Sequence, residues 1–297
     1  MGLTALAASG LLALTLGSPG GHSSLQRLSP GSLVETSSLR LPGAELGFAS
    51  ALRDGELALV VKPVATGQPV RIVDLARMRV ARSIQVGDRD VCGLTFAGPT
   101  LVALAADQPC YWPGGRFTLL RIDPATGRIA GSTPVRGLHT VFPTNLAFGD
   151  GRAFVTRAGG GIDAVDLRTG VMTAHRPRRA LAKGEGIVAT HFLGGHLLGA
   201  GPRVVDVRTW RERLLEPGAR GVVSSGAELI AYGPRGAGIY TRAGRLLRRA
   251  LPGEQVSAAV TLDGRLYATV GEAVDTVEIS TGTQTHVAPG DWILLGG

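Results

Sequence analysis

The sequence predicts an all-β chain folded as a β-propeller of seven four-stranded blades, and three observations predict it. The first is composition. Glycine at 44 and proline at 17 in 297 residues mark many turns, while aromatics are only 5%, and no stretch sustains helical periodicity. The second is a recurring phrase: "RIDPATGRIAGSTPV" (121–135), "AVDLRTGVMTA" (164–174), "VVDVRTWRERL" (204–214) and "TVEISTGTQTH" (276–286). Each phrase is an apolar run, a tight turn and a more polar run. The third is punctuation. Pro-Gly and related breaks recur at spacings of roughly 40 residues, the length of four short strands in a propeller blade. A β-sandwich would not show this phasing.

The units follow in order as 1–42, 43–86, 87–136, 137–177, 178–217, 218–252 and 253–290, with a closing strand at 291–297, all in one domain. Each opens on a hairpin with a glycine turn, as in "ELGFASALRDGELALVV" (45–61) and "VSAAVTLDGRLYATVG" (256–271). First strands are small and apolar (187–195, 221–227, 257–264), as a taper towards the axis requires; last strands carry arginine (211–217, 245–252). The segment 2–17 is apolar, but no Lys or Arg precedes it and no A-x-A site follows, so it reads as the first unit's hairpin rather than a signal peptide. Ser9-Gly10 interrupts a run too short to span a bilayer. At the other end "DWILLGG" is an apolar strand without a hairpin partner. It is expected to pair into the blade containing residues 11–41, because an unpaired edge invites aggregation.

The formal charge of +8 comes almost wholly from arginine; the lysines are Lys62 and Lys183. The arginines are scattered, with short knots at 176–179 and 248–249, and no aromatics are interleaved for base stacking. That reads as solvated surface and argues against nucleic acid as a partner. No nucleophile elbow, Walker loop or H-E-x-x-H occurs. His191 and His196 share one hairpin but lack a third metal ligand. Asp88 and Asp90 could offer oxygens to calcium, yet pairing with Arg89 is the favoured reading, so no metal and no cofactor are expected.

The distinctive segment is "AADQPCYWPGGRF" (105–117), the longest loop inside a unit. Tyr111 and Trp112 lie between Pro109 and Pro113, a stiff aromatic projection. The starts of neighbouring first strands share that face and bring Arg89, Asp90, Arg136, His139, Arg179, Glu185 and Arg220 towards the axis. Their mixed, net basic character suits a protein or peptide, or a polar or anionic ligand. The expected function is a non-catalytic binding or scaffolding module using this loop face, monomeric and without a membrane span. The alternative is a propeller enzyme, a quinoprotein-like oxidoreductase or hydrolase, with axial polar residues doing the chemistry. First strands made mostly of Gly, Val, Ser and Ala favour binding.

The cysteines Cys92 and Cys110 are expected to form a disulfide. Mirroring about the Gly98-Pro99 turn puts Ala105 opposite Cys92 and Cys110 just beyond, in the long loop at the same end, within reach of a bridge. A disulfide implies an extracytoplasmic or secreted location.

The phrase "AVDLRTGVMTA" resembles the A-x-D-x-x-T-G-x-x-x-W repeat of the PQQ-binding quinoprotein-like propellers, and less specifically YVTN-type repeats. Ala164, Asp166, Thr169 and Gly170 match; Ala174 stands at the tryptophan position, as do Gly131, Leu214 and His286 in the other units. The resemblance implies a propeller and, in that family's enzymes, a quinone cofactor with bound calcium; no residues carry over for either. The Asp/Thr/Gly turn itself has a local role, with Asp capping the turn and Gly supplying positive φ.

Overall fold

The computed structural model describes residues 11–15, 22–42, 47–53, 55–62, 67–110, 112, 114–136, 138, 146–157, 161–175, 188–289 and 293–295. Every regular element among them is a β-strand, and none of them forms a helix long and apolar enough to cross a membrane. The chain opens with β1 (Leu11–Thr15), β2 (His22–Leu28) and β3 (Glu35–Pro42). Three antiparallel four-stranded sheets follow, each in chain order. They are β4 (Gly47–Arg53), β5 (Glu56–Lys62), β6 (Val70–Asp74) and β7 (Arg79–Ile84); then β8 (Asp90–Ala97), β9 (Thr100–Ala106), β10 (Phe117–Ile122) and β11 (Ile129–Val135); then β12 (Ala147–Gly149), β13 (Arg152–Thr156), β14 (Ile162–Asp166) and β15 (Met172–His175).

An eight-stranded sheet comes next, built from β16 (Val188–Leu193), β17 (His196–Ala200), β18 (Arg203–Asp206), β19 (Arg211–Leu214), β20 (Gly221–Ser225), β21 (Glu228–Gly233), β22 (Gly236–Thr241) and β23 (Leu246–Ala250). A last meander contains β24 (Val256–Leu262), β25 (Arg265–Val270), β26 (Ala273–Glu278) and β27 (Thr283–Pro289). Finally β28 (Ile293–Leu295) returns to β1, giving the order β28-β1-β2-β3. Its register is Leu12↔Leu295, Ala13↔Leu294 and Leu14↔Ile293. Residues 11–15 are therefore a sheet strand, and β1–β3 is completed by the far end of the chain.

Among the described residues the core is divided. Apolar faces pack in seams between consecutive sheets, for example Val60 and Ile72 against Leu101 and Leu120, and Leu104 and Leu119 against Ala153 and Val155. Further seams join Phe154 to Leu197 and Val205, Leu198 to Leu229 and Tyr240, and Ile230 to Leu266 and Val277. The last meander packs back on the first sheet through Tyr267, Val274, Leu11 and Leu28, and Leu25 and Leu41 meet Leu57 and Val73. The first strands touch in succession, β4 on β8, β8 on β12, β12 on β16, β20 on β24 and β24 on β28. Small residues let these strands crowd together; a Cβ on Gly149 of β12 would run into the ring of Phe192 on β16. The arrangement is propeller-like.

The sequence expects separate four-stranded sheets throughout, and the eight-stranded sheet departs from that. The cause is local. β17 pairs with β18 only through His196 and Leu197. Beyond them the Gly199-Ala200-Gly201 stretch, with Gly201 at φ 105, turns away, and Ala200 pairs with Gly221 of β20.

The recurring phrase forms the hairpin between third and fourth strands. Asp123 Oδ1 accepts the Ala125 N–H at 2.9 Å, and the Thr126 hydroxyl donates to Oδ2 at 2.7 Å. Asp166 accepts from the Arg168 and Thr169 N–H groups and the Thr169 hydroxyl; Asp206 repeats the backbone pattern. Gly127 and Gly170 follow at φ 77 and 72, a left-handed conformation that glycine adopts without a Cβ clash. These donors hold the carboxyls below the usual carboxylate range: the Thr126 hydroxyl at Asp123, the Thr169 N–H at Asp166, and the Thr209 N–H at Asp206.

A carboxyl whose pKa is lowered by folding contributes stability above its unfolded value of about 3.9, lost as pH falls through that range. Melting temperature is therefore expected to fall below about pH 4. In an Asp123→Asn, Asp166→Asn, Asp206→Asn variant the amide still caps the turn, and the acid limb should flatten. An acid limb identical to that of the parent chain would contradict the capping role.

Arginine and tryptophan side chains bridge adjacent sheets. Gly131 leaves room for the Arg121 guanidinium, which donates to the Leu167 carbonyl of the next sheet at 2.6 Å. Arg248 Nε does the same to the Ile279 carbonyl at 3.1 Å. Trp210 occupies the glycine position of its turn at φ 54. From there it stacks on His175 at 4.8 Å and meets Phe154 edge-on at 6.3 Å, both from the preceding sheet. Such contacts offset the cost of a left-handed non-glycine residue.

Candidate functional site

The site begins with a buried carboxylate. Asp90 opens β8 at 7% exposure, and its Oδ2 accepts the N–H of Cys110 at 2.8 Å. Cys92 and Cys110 are bridged, with Cα atoms 5.6 Å apart, and both are fully buried against Val102, Leu104, Phe117, Leu138 and Leu146. Cys92 is not opposite Ala105, as simple mirroring expects. Val91 pairs with Ala105 and Gly93 with Leu104, so Cys92 is the extra residue of a β-bulge, and an extra residue re-aims the side chains around it. The same irregularity recurs near the start of β16, between Ala189 and His191, and of β24, between Val256 and Ala258.

The loop between β9 and β10 is closed at its base by a clasp that sequence reading did not single out. Asp107 Oδ1 accepts the Arg116 N–H and Oδ2 accepts its Nε, both at 2.7 Å. Arg116 holds the Asp107 carboxyl below its ordinary range. Within the clasp the Trp112 N–H donates to the Pro109 carbonyl at 2.8 Å, and the Trp112 residue is 53% exposed. A bridge, a buried carboxylate and an ion pair thus fix the base of a loop that carries an exposed indole.

Arg89 is half-buried beside Asp90, and its carbonyl accepts the Gly67 N–H at 3.1 Å. Arg136 is exposed; its carbonyl accepts from Arg157 at 3.3 Å, and Arg157 is in turn paired with the fully buried Asp163. Arg220 is exposed, and its backbone ties Tyr232 to Gly201. All three lie at the end of the sheets that bears the Trp112 loop. Tyr111, His139, Arg179 and Glu185 fall outside the described residues.

A cleft of about 50 Å³ lies among first strands, lined by His191, Leu198, Val223, Ser224, Ala259, Val260 and Thr261. Thr261 donates to the Ser224 carbonyl across it at 2.6 Å. It carries one titratable side chain. Among the described residues one cluster has metal-ligand composition, Asp90 with Cys92 and Cys110, its ligand atoms within 4.8 Å of one another. Two sulfurs joined to each other offer no thiolate to a metal. Among the described residues this cluster therefore does not fit the calcium that the sequence resemblance implies.

The sequence matches no family model and no curated protein. Solved structures do resemble this chain. The computationally designed Ika8 protein aligns with TM-score 0.62 at 11% identity, over 95% of this chain and 86% of that one. BamB from Moraxella catarrhalis aligns at 0.56 and 14%, over 95% and 86%. Dihydro-heme d1 dehydrogenase NirN, solved in complex with DHE, aligns at 0.59 and 13%, over 95% and 73%. The fold is a β-propeller. Likeness at these identities concerns the fold of the propeller and carries no residue roles.

Proposed function

We propose that this chain is a seven-bladed, non-catalytic propeller that binds a protein or peptide, or a polar or anionic ligand, on the face bearing the Trp112 loop. The blade count reads the eight-stranded sheet as two blades joined at Ala200 and Gly221, and apolar seams between all consecutive strand groups support it. The blades correspond to units 1–42, 43–86, 87–136, 137–177, 178–217, 218–252 and 253–290. The observation that carries the binding reading is the clamped loop. The bridge ties down the backbone two residues before a half-exposed Trp112, which lowers the ordering cost that an interface anchor would meet on binding. Arg89, Arg136 and Arg220 lie at the same end of their sheets as this loop, and with Tyr111, His139, Arg179 and Glu185 they are proposed to complete the face. The disulfide supports an extracytoplasmic site of action for a monomer.

Selection of a random displayed-peptide library on the folded protein tests this reading. Enriched peptides are expected to lose at least about tenfold in affinity on Trp112→Ala, and to be weakened by Arg136→Ala and Arg220→Ala. Peptides that bind the Trp112→Ala protein as tightly as the parent would overturn it.

A further inference from the structure

The opposite end of the propeller has a different electrostatic character. There the hairpins of the β12–β15 and β16–β23 groups bring six exposed arginines to adjacent turns: Arg152, Arg168, Arg208, Arg211, Arg242 and Arg245. The turns touch one another. The Arg213 side chain donates to the Arg242 carbonyl, the Arg242 guanidinium lies over the Gly194 turn, and Trp210 joins its turn to Phe154. None of the six makes an ion pair among the described residues.

The acids nearby are engaged or outnumbered. Asp166 and Asp206 are half-buried and turned onto their own backbone N–H groups. Glu212 faces Arg203 and His175, and Glu228 pairs with Arg248. Asp150 is the exposed acid of these turns, with Asp263 on the hairpin of the next blade. At the Trp112 end, by contrast, Asp107, Asp163 and Glu216 neutralise Arg116, Arg157 and Arg249.

Large apolar side chains stand among these arginines. Val171 is 62% exposed beside Arg168, Leu246 43% beside Arg245, and Leu247 38% next to it. Trp210, between Arg208 and Arg211, is half-buried and already stacked on His175; exposed arginines with interspersed aliphatic side chains match an anionic bilayer surface, where the cations meet headgroups and the aliphatic groups enter the interface. A nucleic acid would reward aromatic rings instead.

We propose that the turn face of blades four to six docks peripherally on an anionic lipid surface. This leaves the Trp112 face pointing away from the bilayer, and it does not depend on the binding reading given above.

The test is sedimentation of the intact protein with vesicles of phosphatidylcholine alone or mixed with phosphatidylglycerol. Binding is expected to the mixed vesicles only, and to weaken with salt. The variant Arg168→Glu, Arg208→Glu, Arg242→Glu, Arg245→Glu should lose at least about tenfold in partitioning, with its melting temperature measured to show that it folds. Val171→Ser with Leu246→Ser should weaken vesicle binding while leaving any binding to heparin or duplex DNA unchanged. Trp112→Ala with Arg136→Ala should leave vesicle binding intact, separating this face from the other. Equal binding to neutral vesicles, no binding to either, retention by the folded glutamate variant, or indifference to the serine changes would each overturn the proposal. In the last case the face would recognise a soluble polyanion.

Discussion

Removing residues 291–297 is expected to lower the melting temperature by roughly 5–10 °C, or to replace cooperative melting with aggregation. β28 is the partner that covers the free edge of β1, and Leu11, Leu12, Ala13 and Leu14 of β1 are all fully buried. Without it, backbone groups and one flank of Leu12 and Leu14 are left open, forfeiting part of the roughly 2 kcal/mol that a fully buried leucine contributes. The loss falls on the seam where the ring closes. There β24 touches β28, and the Tyr267 hydroxyl donates to the Pro30 carbonyl at 2.9 Å. Propeller blades are held by their neighbours, so one open seam exposes two sheet faces at once, and a bare edge strand is an aggregation template. Differential scanning calorimetry with light scattering reads both outcomes. A truncated protein that melts cooperatively at the parent temperature would show that the closing strand does not hold the ring.

The all-β class was legible because it is written in local pattern and repeated, and the closing strand because one apolar run stands without a hairpin partner after the last unit. A hairpin with its glycine turn recurs, and the Asp/Thr turn specifies its own hydrogen bonds within four residues. Features that depend on a neighbouring sheet were not legible. The joining of β17 to β20 turns on where β18 lets go of its partner, and the bulge at Cys92 shifts register by one residue without any change of composition. Arg121 reaches the Leu167 carbonyl of the next sheet, and nothing in residues 119–131 indicates that the space above Gly131 is used by an arginine. The Trp112 loop was legible as a loop because prolines and a cysteine bracket it. Its clasp, Asp107 with Arg116, needed the hairpin geometry. The basic turn face was hidden for a further reason. Arginines spaced along the chain look scattered, yet those at the same phase of successive repeats are carried to one end of the propeller.

Opening the Cys92–Cys110 bridge is expected to destabilise the protein by about 3 kcal/mol, the chain-entropy value for a loop of this length. The sequence separation is 18. A Cys92→Ala, Cys110→Ala variant adds a cavity beneath the loop, because both sulfurs are fully buried among Val102, Leu104 and Phe117. The effect should also be local. With the bridge gone, the covalent tie is lost and the loop is left to weaker contacts such as the Asp90–Cys110 hydrogen bond and the Asp107–Arg116 clasp. The clasp is solvent-exposed, and an exposed ion pair is worth less than about 1 kcal/mol. Trypsin cleavage after Arg116 should therefore rise sharply in the variant and in reduced wild type, while the rest of the propeller stays resistant. Affinity for peptides selected on Trp112 should fall with it, since an unclamped indole must be ordered on binding. Thiol titration of the unfolded, unreduced protein should find no free thiol. Two reactive thiols per chain in protein from an oxidising compartment would remove both the bridge and the compartment inferred from it. Unchanged melting and unchanged cleavage on reduction would show that the bridge does not hold the loop.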